Sequence, residues 1–475
     1  MKKIVFIPID NRPVCYQLPK QIADLESECE LVLPKRELLG NLTKQADFSA
    51  LIDWLKSLEN IDIIVCCLDT VAYGGLISSR RTNDSADTIK QRINDFVDVI
   101  KKNNAEVYAF SSIMRISNNN VNEEEKLYWK DYGKKLFEYS YELHKTGMAK
   151  AEKFGIPEKI LQDYLQGRKR NFEINKYYIE LANQNIFKTL VFSKDDCAKF
   201  GLNVQEAEEL KKLSQNNADI FIKTGADEIP LSLISRALNK HKHIKIFPKY
   251  LKPNFVDNIS KYEDISVKES VESQLELCGA VVTQNEEDSD MILLVNNFAD
   301  EQGELVMNVD VPLFCETLEL PDKPYFIADI MNANGSDNNF CEELLKLKYL
   351  KEFYGYAAWN TTGNTLGSVI SAALTYFGAK KPNREAFDIL QLTRFLDDWA
   401  YQANVRKEIR DNAENLKNGI VKQKMQSFEE KLVKAFALKN IDIEYKFPWN
   451  RFFETEIDIS KTYANVAFVD ILFYE

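Results

Sequence analysis

Two places in the chain set acidic side chains next to one another at the end of an apolar run. They are Asp195-Asp196, after NIFKTLVFSK, and Asp227-Glu228, after ADIFIKTGA. Two carboxyl groups confined side by side cannot both ionise freely; one is pushed towards its neutral form and can donate a proton near neutral pH. Glycoside hydrolysis needs such a donor at the leaving oxygen. Adjacent side chains on a strand point to opposite faces, so either pair works only where the strand has ended and the chain turns. Asp195, Asp196, Asp227 and Glu228 are therefore the candidate catalytic residues, and the pattern leaves open which pair acts.

Other apolar runs also stop at polar residues. KKIVFIPID leads into Asp10, Asn11 and Arg12, and IDIIVCCLD into Asp69, Tyr73 and Arg80. AEVYAFSSIM is followed by Arg115, PYFIADI by Asp329, Asn332 and Asn334, and GYAA by Trp359, Asn360 and Asn364. A lone Asp in such a place ordinarily caps a helix or shapes a turn. Gly74-Gly75 is a tight turn, since no GxGxxG or GxxxxGK[ST] accompanies it. So many polar strand ends together point to one cleft, with these thirteen side chains binding a substrate and Trp359 or Tyr73 stacking on it.

Composition narrows the chemistry. The 475 residues include only three histidines, His144, His241 and His243, too few for a His-rich zinc site. Acids, amides and Arg must carry any reaction. Asp10, Asp69, Asp196 and Asp329 could offer hard oxygen ligands to Mg²⁺ or Mn²⁺, but no cofactor is favoured. The net charge of −12 and the absence of a basic stripe argue against a nucleic-acid partner. No run approaches the roughly 18 apolar residues of a membrane span, and the N-terminal apolar run is too short for a signal peptide. A cytoplasmic chain is expected, with its eight cysteines mainly buried reduced thiols. Its partner is a small molecule or glycan, and the oligomeric state is left open.

These residues need strands to position them. Ten β-branched runs alternate with helix-like segments up to about residue 360, which predicts an α/β chain with parallel strands. The reading divides it into a (βα) barrel-like domain over 1–250, a smaller α/β domain over 251–380 and a mostly helical region over 381–475. That last region ends with the strand-like pieces IDIEYKF and NVAFVDILF. One large doubly wound sheet is the alternative. A charged helical stretch is expected from about 121 to 185, and no internal sequence repeat is evident.

The motifs IPIDNRPV, LDTVAYGGLISSR, SKDDCAKFGL, TGADEI, ADIMNANGSDN and WNTTGNTLGS cover most of residues 3 to 370. As a set they resemble a bacterial family catalogued as domain of unknown function 4127. Asn11 stands where that family more often has a second Asp (PxDDRP). Locally, TGADEI is similar to the Gly-Gly-Asp-Glu strand end of exo-β-hexosaminidases, and Lys194-Asp195-Asp196 resembles the Asp-Asp pair of O-GlcNAcase-like enzymes. The resemblance implies Asp227 as the acid that orients the substrate amide and Glu228 as proton donor, or Asp195 and Asp196 in the same roles. The expected function is a carbohydrate-active hydrolase, a glycosidase of N-acetylhexosaminides. The alternatives are a Mg- or Mn-dependent hydrolase or lyase of a small polar substrate, and a non-catalytic ligand-binding protein.

Overall fold

Alternation along the first strand sets the layers. In β1 (Lys2–Ile7), Ile4 and Phe6 join one buried cluster and Val5 and Ile7 another, so the strand needs cover on both faces. The computed structural model describes residues 1–315, 317–347, 352–411 and 420–461. β2 (Cys29–Val32), β3 (Ile63–Cys67), β4 (Glu106–Ile113), β5 (Thr189–Lys194) and β6 (Ile220–Thr224) join β1 in a parallel sheet of order β2-β1-β3-β4-β5-β6.

A second parallel sheet follows. It contains β7 (Lys245–Tyr250), β8 (Val281–Val282), β9 (Met291–Asn296), β11 (Tyr325–Asp329) and β13 (Phe353–Ala357), in the order β13-β11-β9-β7-β8. The short strands β10 (Gly303–Glu304) and β12 (Asn332–Ala333) pair beside it. Counted along the chain, both sheets begin 2-1-3-4-5, so the topology repeats where the sequence does not. The α/β class and parallel pairing are as expected. The strands lie in two sheets rather than one doubly wound sheet, and no closed sheet is formed among the described residues.

The helix Ile229–Asn239 lies between the sheets, packed on the helices Pro13–Ala23 and Thr362–Gly378. Its first turn carries Pro230, where the missing N–H costs no helical hydrogen bond. One core cluster runs from Ile4 and Phe6 through Leu231 and Leu233 to Ile292 and Ile327, joining the two sheets.

The expected helical stretch over 121–185 resolves into helices Trp129–Thr146, Ala151–Phe154 and Glu158–Asn183, with residues 119–128 outside any helix. Helices Arg384–Arg394, Arg406–Asp411 and Ile420–Ala435, and a π-helical segment at Phe395–Val405, make up the C-terminal region. An antiparallel hairpin follows, β14 (Ile441–Lys446) and β15 (Glu456–Lys461). β14 is the expected IDIEYKF strand; NVAFVDILF lies outside the described residues. Seven of the eight cysteines are buried, Cys315 is exposed, and all eight are free thiols.

Candidate functional site

In open α/β sheets ligands bind beyond the carboxyl ends of the strands, where the strand order reverses. In the first sheet that point lies between β1 and β3, and the connection from β1 to the helix Pro13–Ala23 carries Asp10 and Arg12 there. Arg12 donates to Asp10 through its backbone N and its Nε, both at 2.9 Å. Its outer nitrogens grip Asp227 at 2.7 and 3.1 Å, and Nη1 also reaches Glu454 Oε1 at 2.9 Å. Three buried carboxyl groups thus share one guanidinium. Burial pushes Glu454 up to about 7, against the pull of Arg12 and with the help of Asp227 and Asp10.

Glu454 arrives on the tip of the C-terminal hairpin with two other side chains. Trp449 Nε1 donates to Asn11 Oδ1 at 2.7 Å, and its ring lies 5.3 Å from the Arg12 guanidinium and 4.8 Å from that of Arg451. Arg451 donates to Glu124 at 2.8 Å. The sequence reading did not single out Trp449, Arg451 or Glu454. Their one signal is PWNRFFETE, where Trp and Arg follow a proline between two alternating runs.

A second cluster gathers at the ends of β4 and β5. Arg115 Nη1 lies 3.2 Å from Asp195 Oδ2 and 3.4 Å from Asp196 Oδ2. Its other nitrogens reach Glu124 at 2.9 Å and Glu125 at 3.1 Å. Arg80 pairs with Asp195 at 3.3 Å and with Glu125 at 3.2 Å. Asp196 stands in the left-handed region, φ 45°, and accepts from Ser117 Oγ at 3.0 Å. Burial and the neighbouring Asp195 push it up to about 6, against Arg115. Glu124, although partly buried, is held well below the usual carboxylate range by Arg115, Arg80 and Arg12. Glu124 and Glu125 were absorbed into the expected helix over 121–185, which begins only at Trp129.

The Asp227-Glu228 pair has different surroundings. Asp227 is locked on Arg12, and Glu228 is 0 % exposed. Glu228 Oε2 accepts from Ala226 N at 3.0 Å and Asn364 Nδ2 at 2.6 Å, while Oε1 has no partner. A Cβ at Gly367 would lie 2.3 Å from Glu228 Cγ, and one at Gly225 1.7 Å from Oε1, so glycine is what lets the carboxyl fit. Burial raises Glu228 to about 8, with Asp227 adding to it.

Two further sequence candidates serve as braces. Asp69 accepts Ser112 N at 2.7 Å, and burial lifts it to about 6. Asp329 accepts from Asn296 Nδ2 (2.9 Å), Met331 N (3.3 Å), Asp337 N (2.7 Å) and Tyr356 OH (3.0 Å), which ties β9, β11 and β13 together. Tyr73 is buried, with its hydroxyl unpartnered and the Arg170 guanidinium 5.6 Å from its ring.

A protein-family model described as "Protein of unknown function (DUF4127)" matches residues 4–458. The chain belongs to the DUF4127 family. The match extends past residue 370 to the hairpin and so includes Trp449, Arg451 and Glu454. No curated protein matches the chain.

In this DUF4127 protein ten of the seventeen sequence candidates fall into three groups rather than one cleft. Asp10, Arg12 and Asp227 surround Glu454, and Arg80 and Arg115 hold Asp195 and Asp196. Asn334, Trp359 and Asn360 line a cleft that Glu454 also lines. Asn360 donates to Asn364 at 2.8 Å, and its carbonyl accepts Asn334 N at 2.7 Å. Asn332 is buried in β12. Among the described residues no three His, Cys, Asp or Glu side chains are grouped so as to hold a metal ion, so Asp10, Asp69, Asp196 and Asp329 do not form one ligand set. Among them too, no helix is long and apolar enough to cross a membrane.

Proposed function

We propose that this DUF4127 protein is a carbohydrate-active hydrolase that cleaves N-acetylhexosaminides, with Asp196 as proton donor and Asp195 as the acid that orients the substrate amide. The observation that carries the reading is that the two carboxyl groups share Arg115 Nη1 and are still reachable. The side chains of Asp195 and Asp196 are 21 % and 31 % exposed, against 9 % for Asp227.

Asp196, raised to about 6, keeps a fraction of its proton near neutral pH. The substrate's acetamido oxygen attacks the anomeric carbon, the glycosidic C–O bond breaks, and the Asp196 proton passes to the leaving oxygen. Water then opens the oxazolinium intermediate, its proton returns to Asp196, and the net change is hydrolysis. Asp195, held by Arg80 and Arg115, accepts the amide N–H and fixes its direction. Glu125, bonded to both arginines, also lines an open cavity of ≈ 750 Å³ whose walls include Leu127 and Tyr128 but not Asp195 or Asp196, so Glu125 is the residue common to the acid cluster and that space.

The test is a panel of aryl N-acetylhexosaminides offered to the full chain. The expected result is release of the phenol, lost in Asp196→Asn, with kcat/KM falling as pH rises through about 6 because the acid must hold its proton. Absence of turnover across the panel overturns the proposal.

A further inference from the structure

The aromatic side chains expected to stack on a sugar do not serve the acid pair. Tyr73 and Trp359 are buried, and the Trp449 ring already meets the guanidiniums of Arg12 and Arg451. One exposed aromatic residue does adjoin the pair. Tyr262, in the loop after β7, is 38 % exposed, and its carbonyl accepts Cys197 N at 3.0 Å, one residue beyond Asp196. The loops that follow β5 and β7, one from each sheet, therefore meet beside Asp196.

The fold holds Tyr262 in a conformation that tyrosine disfavours. Glu263 N donates to Ser260 O at 3.2 Å and closes a four-residue turn with Tyr262 third, at φ 67°. A positive φ at that position is ordinarily given to Gly or Asn, and a bulky side chain there is an outlier. The neighbours on both sides fix it. Ser260 Oγ accepts from Thr362 Oγ1 at 2.8 Å, and Lys261 N donates to Gln302 Oε1 at 2.8 Å. The Glu263 carboxyl accepts Gly363 N and Ser270 Oγ, both at 2.6 Å. Asp264 accepts from Thr224 Oγ1 at 2.7 Å, at the end of β6, and pairs with Lys194, at the end of β5. Ser260, Glu263 and the Asp264 side chain are buried, so Tyr262 is the exposed member of a buried turn. Packing of its ring does not account for the strained backbone. Strain held in place by such surroundings gathers at ligand sites.

Burial and the charges of Glu304 and Asp196 raise the Tyr262 phenol to about 12, so its hydroxyl remains a neutral donor. Glu304 in turn accepts from Asn334 Nδ2. An aromatic face with a polar edge suits a sugar ring, which has apolar C–H faces and hydroxyls around its rim.

We propose that Tyr262 is a substrate-binding residue of the Asp195-Asp196 site and that its ring is the platform for the apolar face of the terminal sugar. This rests on the reading of that pair as a hydrolase of N-acetylhexosaminides, and it brings the second sheet into the site: the sugar lies between the loops that follow β5 and β7.

Two measurements on the full chain test it: calorimetric titration with N-acetylglucosamine, and steady-state turnover of its aryl glycoside. Tyr262→Gly and Tyr262→Asn suit the positive φ and keep the backbone bond to Cys197, so both should melt close to or above wild type. Both should bind N-acetylglucosamine at least tenfold more weakly, with the larger part of the kinetic loss in KM rather than kcat. Tyr262→Phe, which restores the ring alone, should recover most of the lost affinity. Sugar binding that weakens in this way without any turnover upholds the platform and overturns the hydrolase reading. Turnover with wild-type affinity in Tyr262→Gly overturns the platform and leaves that reading standing. The platform is also overturned if the wild type does not bind N-acetylglucosamine, if Tyr262→Phe loses as much affinity as Tyr262→Gly, or if neither the Gly nor the Asn variant folds.

Discussion

Asp195-Asp196 and Asp227-Glu228 are the same pattern at the ends of neighbouring strands, and the fold treats them in opposite ways. After Asp196 the chain runs through residues 197–201 before its next helix begins at Leu202. After Glu228 the helix begins at once, at Ile229, and it packs between two others. Helix packing therefore carries Glu228 into a wall of glycines, whereas the loop leaves Asp195 and Asp196 beside Arg80 and Arg115 with part of each side chain in water. Both environments raise a carboxyl pKa by burial, but only one leaves the acid where a substrate can meet it. A raised pKa alone does not identify a proton donor; accessibility separates the two pairs.

The largest expected effect follows from that contrast. Asp196→Asn should lower kcat/KM on an aryl N-acetylhexosaminide by roughly 10²–10⁴-fold, the usual worth of a general acid. Glu228→Gln, nearly the same shape at an enclosed site, should stay within a few-fold of wild type. If steady-state kinetics ranked the two variants the other way round, the roles assigned to the pairs would have to be exchanged.

A second expectation concerns stability. The folded state holds Glu228 near 8, above the 4.5 of an ordinary Glu, so it binds a proton that the unfolded chain releases earlier. Its contribution is fully present below about 4.5 and is lost as pH rises towards about 8. Gln does not titrate. The stability of Glu228→Gln relative to wild type should therefore climb between pH 5 and 8, by at most about 1.4 kcal/mol per pH unit. Urea unfolding at several pH values measures this directly. Parallel curves for the two proteins would mean that Glu228 is ionised in the fold.

Much of this contrast was written locally. The period-two burial of β1 and the polar residues after each strand were legible because strand faces and turns depend on near neighbours. Arg12 and Asp10 could be paired for the same reason, being two residues apart. The partners of Arg12 at Asp227 and Glu454 could not, because they lie 215 and 442 positions away and meet it only through the packing of β6 and the hairpin. Nor does the local pattern of β7 say that it starts a second sheet, since that is decided by its pairing with β8 and β9. Glu124 and Glu125 were hidden for another reason. An acidic run beside a helix reads as a solvated face, and only the approach of Arg80, 45 positions away, and of Arg115 at the end of β4 makes it part of a site.

The smallest expected effect is the finest test of the difference between the pairs. Ser117 Oγ donates to Asp196 Oδ2 at 3.0 Å and so favours the ionised form, opposing burial and Asp195. Such a hydrogen bond is worth about 0.5–1.5 kcal/mol, and one pKa unit corresponds to about 1.4 kcal/mol. Ser117→Ala should then move Asp196 upward from about 6 by at most about one unit. The alkaline limb of the pH–rate profile should move with it, leaving more of the acid form at neutral pH. A carboxyl carbon titration of Asp196 by NMR reads the same shift without any substrate. Glu228 should titrate as before, because its donors, Ala226 N and Asn364 Nδ2, belong to other elements. A shift at both acids would show that the two pairs respond as one network, joined through Arg451 and Arg12, and that their separation by accessibility is incomplete.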